Sequence, residues 1–203
     1  SLVNWTAADY TLECFVYLKE KVVLNNDHKS RSVLFGHMET TDNDLIWWSF
    51  GPTENNALGL YYLSDSGPQN IFTENDIIEL NKWHHIAMTY DFSESLITLW
   101  LDGNAVKTAN LVGNLQYDSS YNISIGQWRG LYFYHGYISN LRVVAGGGHG
   151  TVVYTGSTYT VPTSNLSSIS NTKLLTARAT LTDETSTNSL NAYGSIANKN
   201  ANP

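Results

Sequence analysis

Polar and apolar residues alternate along this chain in short runs, and the period is that of strands. Stretches rich in Val, Ile, Leu, Thr, Tyr and Trp are bounded by clusters of Gly, Asn, Asp and Ser, and helical spacing of apolar residues is hard to find. The pattern predicts strands at 10–18, 32–38, 45–50, 57–64, 83–91, 96–101, 105–110, 122–126, 136–144 and 173–177, with short edges at 71–72 and 77–80. The clearest local signal is LITLWLDGNAV, residues 96–106. Ile97, Leu99 and Leu101 share one face, while Leu96, Thr98 and Trp100 take the other. Asp102-Gly103-Asn104 then supplies residues that tolerate positive φ, and the next run begins at once, which predicts a tight hairpin.

Alternation also settles the adjacent histidines of KWHHIAMTYD, residues 82–91. Neighbours on a strand leave on opposite faces, so His84 and His85 cannot ligate one metal. His84 aligns with Ile86, Met88 and Tyr90 and reads as a core histidine. His85 aligns with Ala87, Thr89 and Asp91 and is expected on a half-buried face. By the same reasoning Trp48 and Tyr62 point into the core, and Trp47 and Tyr61 are the outward aromatics.

Composition narrows the function classes. With 203 residues, the chain is long enough for one large all-β domain, and we expect residues 1–203 to form a single one. Only 14% of residues are charged and 12% are aromatic, the balance of a globular chain. Eighteen acidic against 11 basic residues, a net charge of −7 and no basic stripe argue against nucleic acid. The one cysteine, Cys14, rules out an intrachain disulfide, and its neighbours Leu12, Phe15 and Val16 predict a buried thiol. No apolar run is long enough to cross a bilayer, so no membrane insertion is expected. The opening SLVNWTAADY lacks a signal-peptide pattern and reads as the start of a module cut from a longer protein. Residues 146–150 and 162–171 are expected as loops. Residues 182–203 are Ser/Asn/Thr-rich, too poor in apolar residues for a core of their own, and are expected to run over the domain surface.

The order WHHIAMTYD, LITLWLDGNAV, NISIGQ, HGYISNLRVV, preceded by DYTLECFVYL, resembles laminin-G-like and pentraxin-like domains of the concanavalin A-like superfamily. The resemblance covers roughly residues 10–144. It implies an all-β jelly-roll β-sandwich of two antiparallel sheets. Further on, Tyr154-Thr155, Thr160-Val161-Pro162-Thr163 and Thr172-Lys173-Leu174-Leu175 look like the tail of laminin-G-like modules of bacteriophage structural and tail proteins. The Gly-rich link at 146–150 departs from that pattern. Such a module implies a structural or host-recognition part of a virion, displayed outside the cell.

Glycosidases also resemble this fold, but a retaining site needs two facing carboxylates, and no E-x-D-x-E run is present. Patterns for a nucleophile elbow, zinc protease, P-loop or C-x-x-C are absent too. No catalytic residue is therefore assigned. The pentraxin resemblance implies calcium ligands at Asp42 and Asn43, with Asp44 beside them. The acidic ligands expected after the I-G strand are replaced by Gln127, Trp128 and Arg129, and the competing reading is an Asx-rich turn. No other cofactor is expected. Exposed aromatics suit sugar faces, so Trp128, Arg129, Tyr132, Tyr134 and His135 of the loop at 127–135, with Trp47 and Tyr61, are the candidate ligand residues. The expected function is a non-catalytic module that binds a glycan or cell-surface polymer. The alternative is a structural decoration domain packed against other virion subunits, and a glycoside hydrolase is the third reading.

Overall fold

The computed structural model describes residues 8–21, 34–38, 46–116, 123–127, 134–146, 152–178, 182–186 and 188–190. The fold is all-β, a jelly-roll of two antiparallel sheets, with no α-helix among the described residues. The strands are β1 (Tyr10–Leu18), β2 (Phe35–Met38), β3 (Ile46–Pro52), β4 (Leu58–Ser64), β5 (Gly67–Phe72), β6 (Trp83–Asp91), β7 (Leu96–Leu101), β8 (Asn104–Asn110), β9 (Ile123–Ile125), β10 (Gly136–Ala145) and β11 (Thr172–Thr176). Contacts divide the chain into two compact units: Ser1–Val16, Trp83–Asn110 and Ile138–Pro203 in one, Tyr17–Lys82 and Leu111–Tyr137 in the other. Each holds one sheet, ordered β11-β10-β1-β6-β7-β8 in the first and β5-β4-β3-β2-β9 in the second.

In the six-stranded sheet, one face collects Leu12, Cys14 and Val16, Ile86 and Met88, Ile97 and Leu99, and Leu141 and Val143, all shut off from solvent. The other face, predicted to be half exposed along β6, is buried as well: every residue from His84 to Tyr90 is buried. The reason lies far along the chain. Residues 152–167 run across this face as a strap. Val153 N–H donates to Thr11 Oγ1 (3.1 Å), Ala105 N–H to the Ser157 carbonyl (2.9 Å), and Tyr159 N–H to the Gly103 carbonyl (2.8 Å). The expectation that His85 would be half-buried is therefore corrected.

The β7–β8 hairpin turns on Asp102 (φ 47°) and Gly103 (φ 82°), the two left-handed positions that a two-residue hairpin loop needs. Gly103 is required twice over, because a Cβ there would stand 2.4 Å from the Tyr159 carbonyl oxygen. In the five-stranded sheet, Trp48 and Phe50 of β3, Leu58, Leu60 and Tyr62 of β4, and Phe35 of β2 form the buried face. Each such side chain contributes about 1.5–3 kcal/mol by leaving water. The short edge expected at 71–72 is the end of a full strand, β5, paired with β4 along its length. The edge expected at 77–80 does not form. Ile78 is buried there singly, held by its N–H to the Asn56 carbonyl (3.1 Å).

Candidate functional site

The opposite face of the five-stranded sheet is built differently. Cross-strand register places Asn70, Tyr61, Ser49, Gly36 and Ser124 in one row across β5, β4, β3, β2 and β9. Directly opposed residues point the same way, so the row lines a single face. Tyr61 and Ser49 are half-buried, whereas their neighbours Tyr62 and Trp48, aimed the other way, are 1% and 0% exposed. One step along, Phe72 opposes Gly59. A Cβ on Gly59 would fall 2.4 Å from Phe72 Cδ1, so the ring lies across the glycine, and it remains 41% exposed. On a sheet such diagonal neighbours stand roughly 7–8 Å apart. The face thus carries an exposed aromatic ring, Phe72, and a half-buried one, Tyr61, with the hydroxyl of Ser49 and the amide of Asn70 on the adjoining strands and Ser124 at the far edge of the sheet. Flat rings can stack on apolar C–H faces, and the polar groups can hydrogen-bond hydroxyls.

Of the residues expected to bind ligand, Tyr61 belongs to this face. Trp47 lies in β3, two positions before Ser49, but its side chain is outside the described residues. Trp128, Arg129 and Tyr132, and with them Asp42, Asn43 and Asp44, also lie outside the described residues. Tyr134 is buried: its ring packs on the backbone at Gly136, and its N–H donates to the Gly126 carbonyl (2.8 Å), so it offers a ligand little surface. His135 is exposed, with Nδ1 3.8 Å from Glu20 Oε2. Phe72 was not anticipated. Its signal was available: an aromatic next to Ile71 in a strand must alternate with it, and Ile71 is the apolar residue that continues the core.

The densest polar cluster belongs to the six-stranded sheet. Glu13 on β1, Arg142 on β10 and His85 on β6 occupy adjacent strands. Arg142 donates through Nε (2.8 Å) and Nη2 (2.5 Å) to Glu13 Oε1, and through Nη1 to the Ser167 carbonyl (2.9 Å). The strap adds Tyr154, whose hydroxyl donates to Glu13 Oε2 (2.5 Å). The carboxylate can only accept, so His85 donates from Nε2 to Glu13 Oε2 (3.1 Å), and in the neutral ring Nδ1 accepts from the Tyr159 hydroxyl (2.5 Å). Tyr154 and Tyr159 stack at 3.7 Å, edge-on to Trp100. Burial alone would raise the Glu13 pKa, but the His85 hydrogen bond, the Arg142 charge and the Tyr154 hydrogen bond outweigh it and hold the group below its usual range. Burial first, then the Glu13 charge, push both phenols up, so they remain donors.

Carboxylate, imidazole and phenol together would be a catalytic set if open. Here the Glu13 and His85 side chains are completely buried, and no substrate reaches them. The cluster fastens the strap. Nearby, Asp102 joins both histidines: Oδ2 lies 2.7 Å from His84 Nδ1 and Oδ1 accepts the His85 N–H (2.9 Å). Among the described residues no group of three or more His, Cys, Asp or Glu side chains could hold a metal ion. Cys14 is fully buried, and burial pushes its thiol pKa up.

Comparison with known proteins agrees with this architecture. The Ruminococcus gnavus IT-sialidase CBM40 superposes with a TM-score of 0.53 at 13% identity, covering 68% of this chain and 76% of that one. The same module bound to α2,3-sialyllactose gives 0.51 at 11% identity, covering 64% and 71%. The leech intramolecular trans-sialidase gives 0.55 at 14% identity; 75% of this chain matches 24% of that larger one. At these identities the likeness is one of fold. Among curated proteins, none matches by sequence. A family model, however, matches residues 1–146, well over half of the chain, and its match completes the case that strand order and register make: the chain belongs to the Laminin_G_3 family of the concanavalin A-like lectin/glucanases superfamily.

Proposed function

We propose that this domain is a non-catalytic glycan-binding module whose ligand lies on the open face of the five-stranded sheet. The observation that carries this reading is the exposed Phe72 ring laid over Gly59 beside Tyr61, within a row of Asn70, Ser49 and Ser124. A sheet face facing only water would have no reason to present that pair next to side-chain amide and hydroxyls. The fold relatives support the reading, since one of them is a carbohydrate-binding module bound to sialyllactose. The test is a glycan array followed by calorimetry on the best hit. Phe72→Ala and Tyr61→Ala should each weaken binding about tenfold, the effect of losing one well-placed aromatic contact, with the melting temperature almost unchanged. Full affinity in both variants sinks the assignment of this face. No binding to any glycan favours the decoration-domain alternative.

The whole of residues 1–203 reads as one folding domain, because both compact units draw on several separated pieces of the chain. The parent protein reads as a phage-type virion or tail component, displayed outside the cell. The motifs at Tyr154-Thr155, 160–163 and 172–175 support this, and antibody labelling of purified particles tests it. Particles that carry no label end that part of the reading.

A further inference from the structure

A second aromatic cluster lies on different strands, where β1 and β10 run side by side. Tyr17 and Tyr137 are both half exposed, with ring centroids 5.6 Å apart and planes tilted by 45°. Their approach depends on Gly136: a Cβ there would stand 1.9 Å from the Tyr17 carbonyl oxygen, so no other residue lets the two backbones come this close. Lys19 places its ammonium 4.5 Å from the Tyr137 ring centroid. The Lys19 N–H donates to the His135 carbonyl (3.0 Å), which fixes the chain beneath it. His135, which this bond places beside Lys19 in the backbone, is exposed, and its Nδ1 lies 3.8 Å from Glu20 Oε2.

The aromatic setting of its cation sets this place apart. Lys21, Lys82, Arg142 and Arg178 are each in contact with a carboxylate, on Asp76, Glu79, Glu13 and Glu184. Lys19, Lys107 and Lys173 make no salt bridge to a carboxylate among the described residues, and Lys19 differs from the other two in lying over an aromatic ring, with the Glu20 charge acting on it as well. The chain as a whole carries −7, so a polyanion is repelled by most of its surface. A cation held on an aromatic platform is what a sugar acid would need: a C–H face on the rings and a carboxylate at the ammonium.

We propose that Tyr17, Tyr137 and Lys19 form a second subsite that takes a carboxylated sugar of an acidic glycan. This rests on the reading of the domain as a glycan-binding module, and uses a surface other than the Phe72–Tyr61 face. The test is native affinity electrophoresis of the whole chain in gels containing polygalacturonate, a uronic-acid homopolymer, with a gel containing the neutral glycan hit from the array run in parallel. Polygalacturonate should retard the wild type, despite the net negative charge of both partners. Lys19→Gln should cut the retardation about fivefold, the combined loss of an exposed ion pair and a cation–π contact. Tyr137→Ala should do the same, and Lys19→Arg should restore it. Phe72→Ala should leave it intact while weakening retardation by the neutral glycan about tenfold. About 1 M salt, where the screening length falls to about 3 Å, should remove the uronate effect and spare the neutral one. A wild type that ignores polygalacturonate yet binds the neutral glycan overturns the second subsite alone. So does uronate retardation that survives Lys19→Gln and is lost in Phe72→Ala. If neither polymer retards the protein, the glycan-binding reading falls, and the subsite with it.

Discussion

Replacing Arg142 by Met tests the strongest energetic statement the structure supports. The substitution keeps an unbranched apolar stem but removes the guanidinium that donates twice to Glu13 Oε1 and once to the Ser167 carbonyl. Glu13 is then a carboxylate with no solvent contact, held only by Tyr154 and His85. Stripping one partner from a buried ion pair costs about 3–5 kcal/mol, because the other charge is left uncompensated. Against a total stability of about 5–15 kcal/mol, that is a large fraction. For a chain of this size it predicts a melting point lower by roughly 6–20 °C. Urea unfolding followed by the fluorescence of the six tryptophans gives the free energy directly. The companion double variant, Glu13→Leu with Arg142→Met, removes both charges and should be more stable than Arg142→Met alone. Acid adds an independent reading. The folded Glu13 pKa is held below its unfolded value, so its contribution is present above about pH 4.3 and fades as the pH drops through the lower folded value. With Arg142 gone that lowering shrinks, and acid unfolding should begin at a higher pH. A single variant within about 1 kcal/mol of wild type, or a double variant no better than the single, would refute the claim that this pair is a desolvated, mutually dependent unit.

Other consequences are as direct. Tyr154→Phe keeps the stacking on Tyr159 but deletes a donor to a buried carboxylate, and should cost about 1.5–3 kcal/mol in the same urea assay. Gly103→Ala requires φ of 82° and a Cβ 2.4 Å from the Tyr159 carbonyl, so it should loosen the strap; hydrogen exchange at the Tyr159 amide should accelerate at least as much as global unfolding does. A chain ended at residue 146, the limit of the family match, lacks Tyr154, Tyr159 and β11; it should lose the cooperative urea transition, and a normal transition would contradict the role given to the strap. Cys14 should not react with a thiol reagent until the protein unfolds, because it is inaccessible and its thiol stays protonated.

Sequence patterning made much of the fold legible where contacts are local. Strands 10–18, 83–91 and 96–101 and the Asp102-Gly103 turn follow from alternation and turn chemistry, because a two-residue loop fixes register without help from elsewhere. The burial of Trp48 and Tyr62 followed from the same rule. Where it failed, distance along the chain is the cause. His85 looked half exposed because alternation cannot announce a cover more than 60 residues downstream, yet Tyr159 bonds it from 74 positions away. The warning lay in Glu13 and Arg142, two charges set inside otherwise apolar strands. Charges in such places need each other, and together with His85 they mark a face that something must close. The face proposed to bind glycan is half legible: the pairing with Tyr62 points Tyr61 outward, while Phe72 escapes the pattern because the apolar alternation of β5 is confined to residues 71–72.

The place of β1 in its sheet has a consequence for how this polypeptide is made. Glu13 meets His85 across 72 positions and Arg142 across 129, so β1, the earliest of the described strands in chain order, occupies the centre of a sheet whose flanks are still untranslated when it is made. Its apolar side must wait, exposed, until 129 further residues have been added. Folding dominated by such distant pairings is slow. The nascent chain is therefore a natural client for holding chaperones, and its yield in a foreign host should rise when synthesis is slowed by cold.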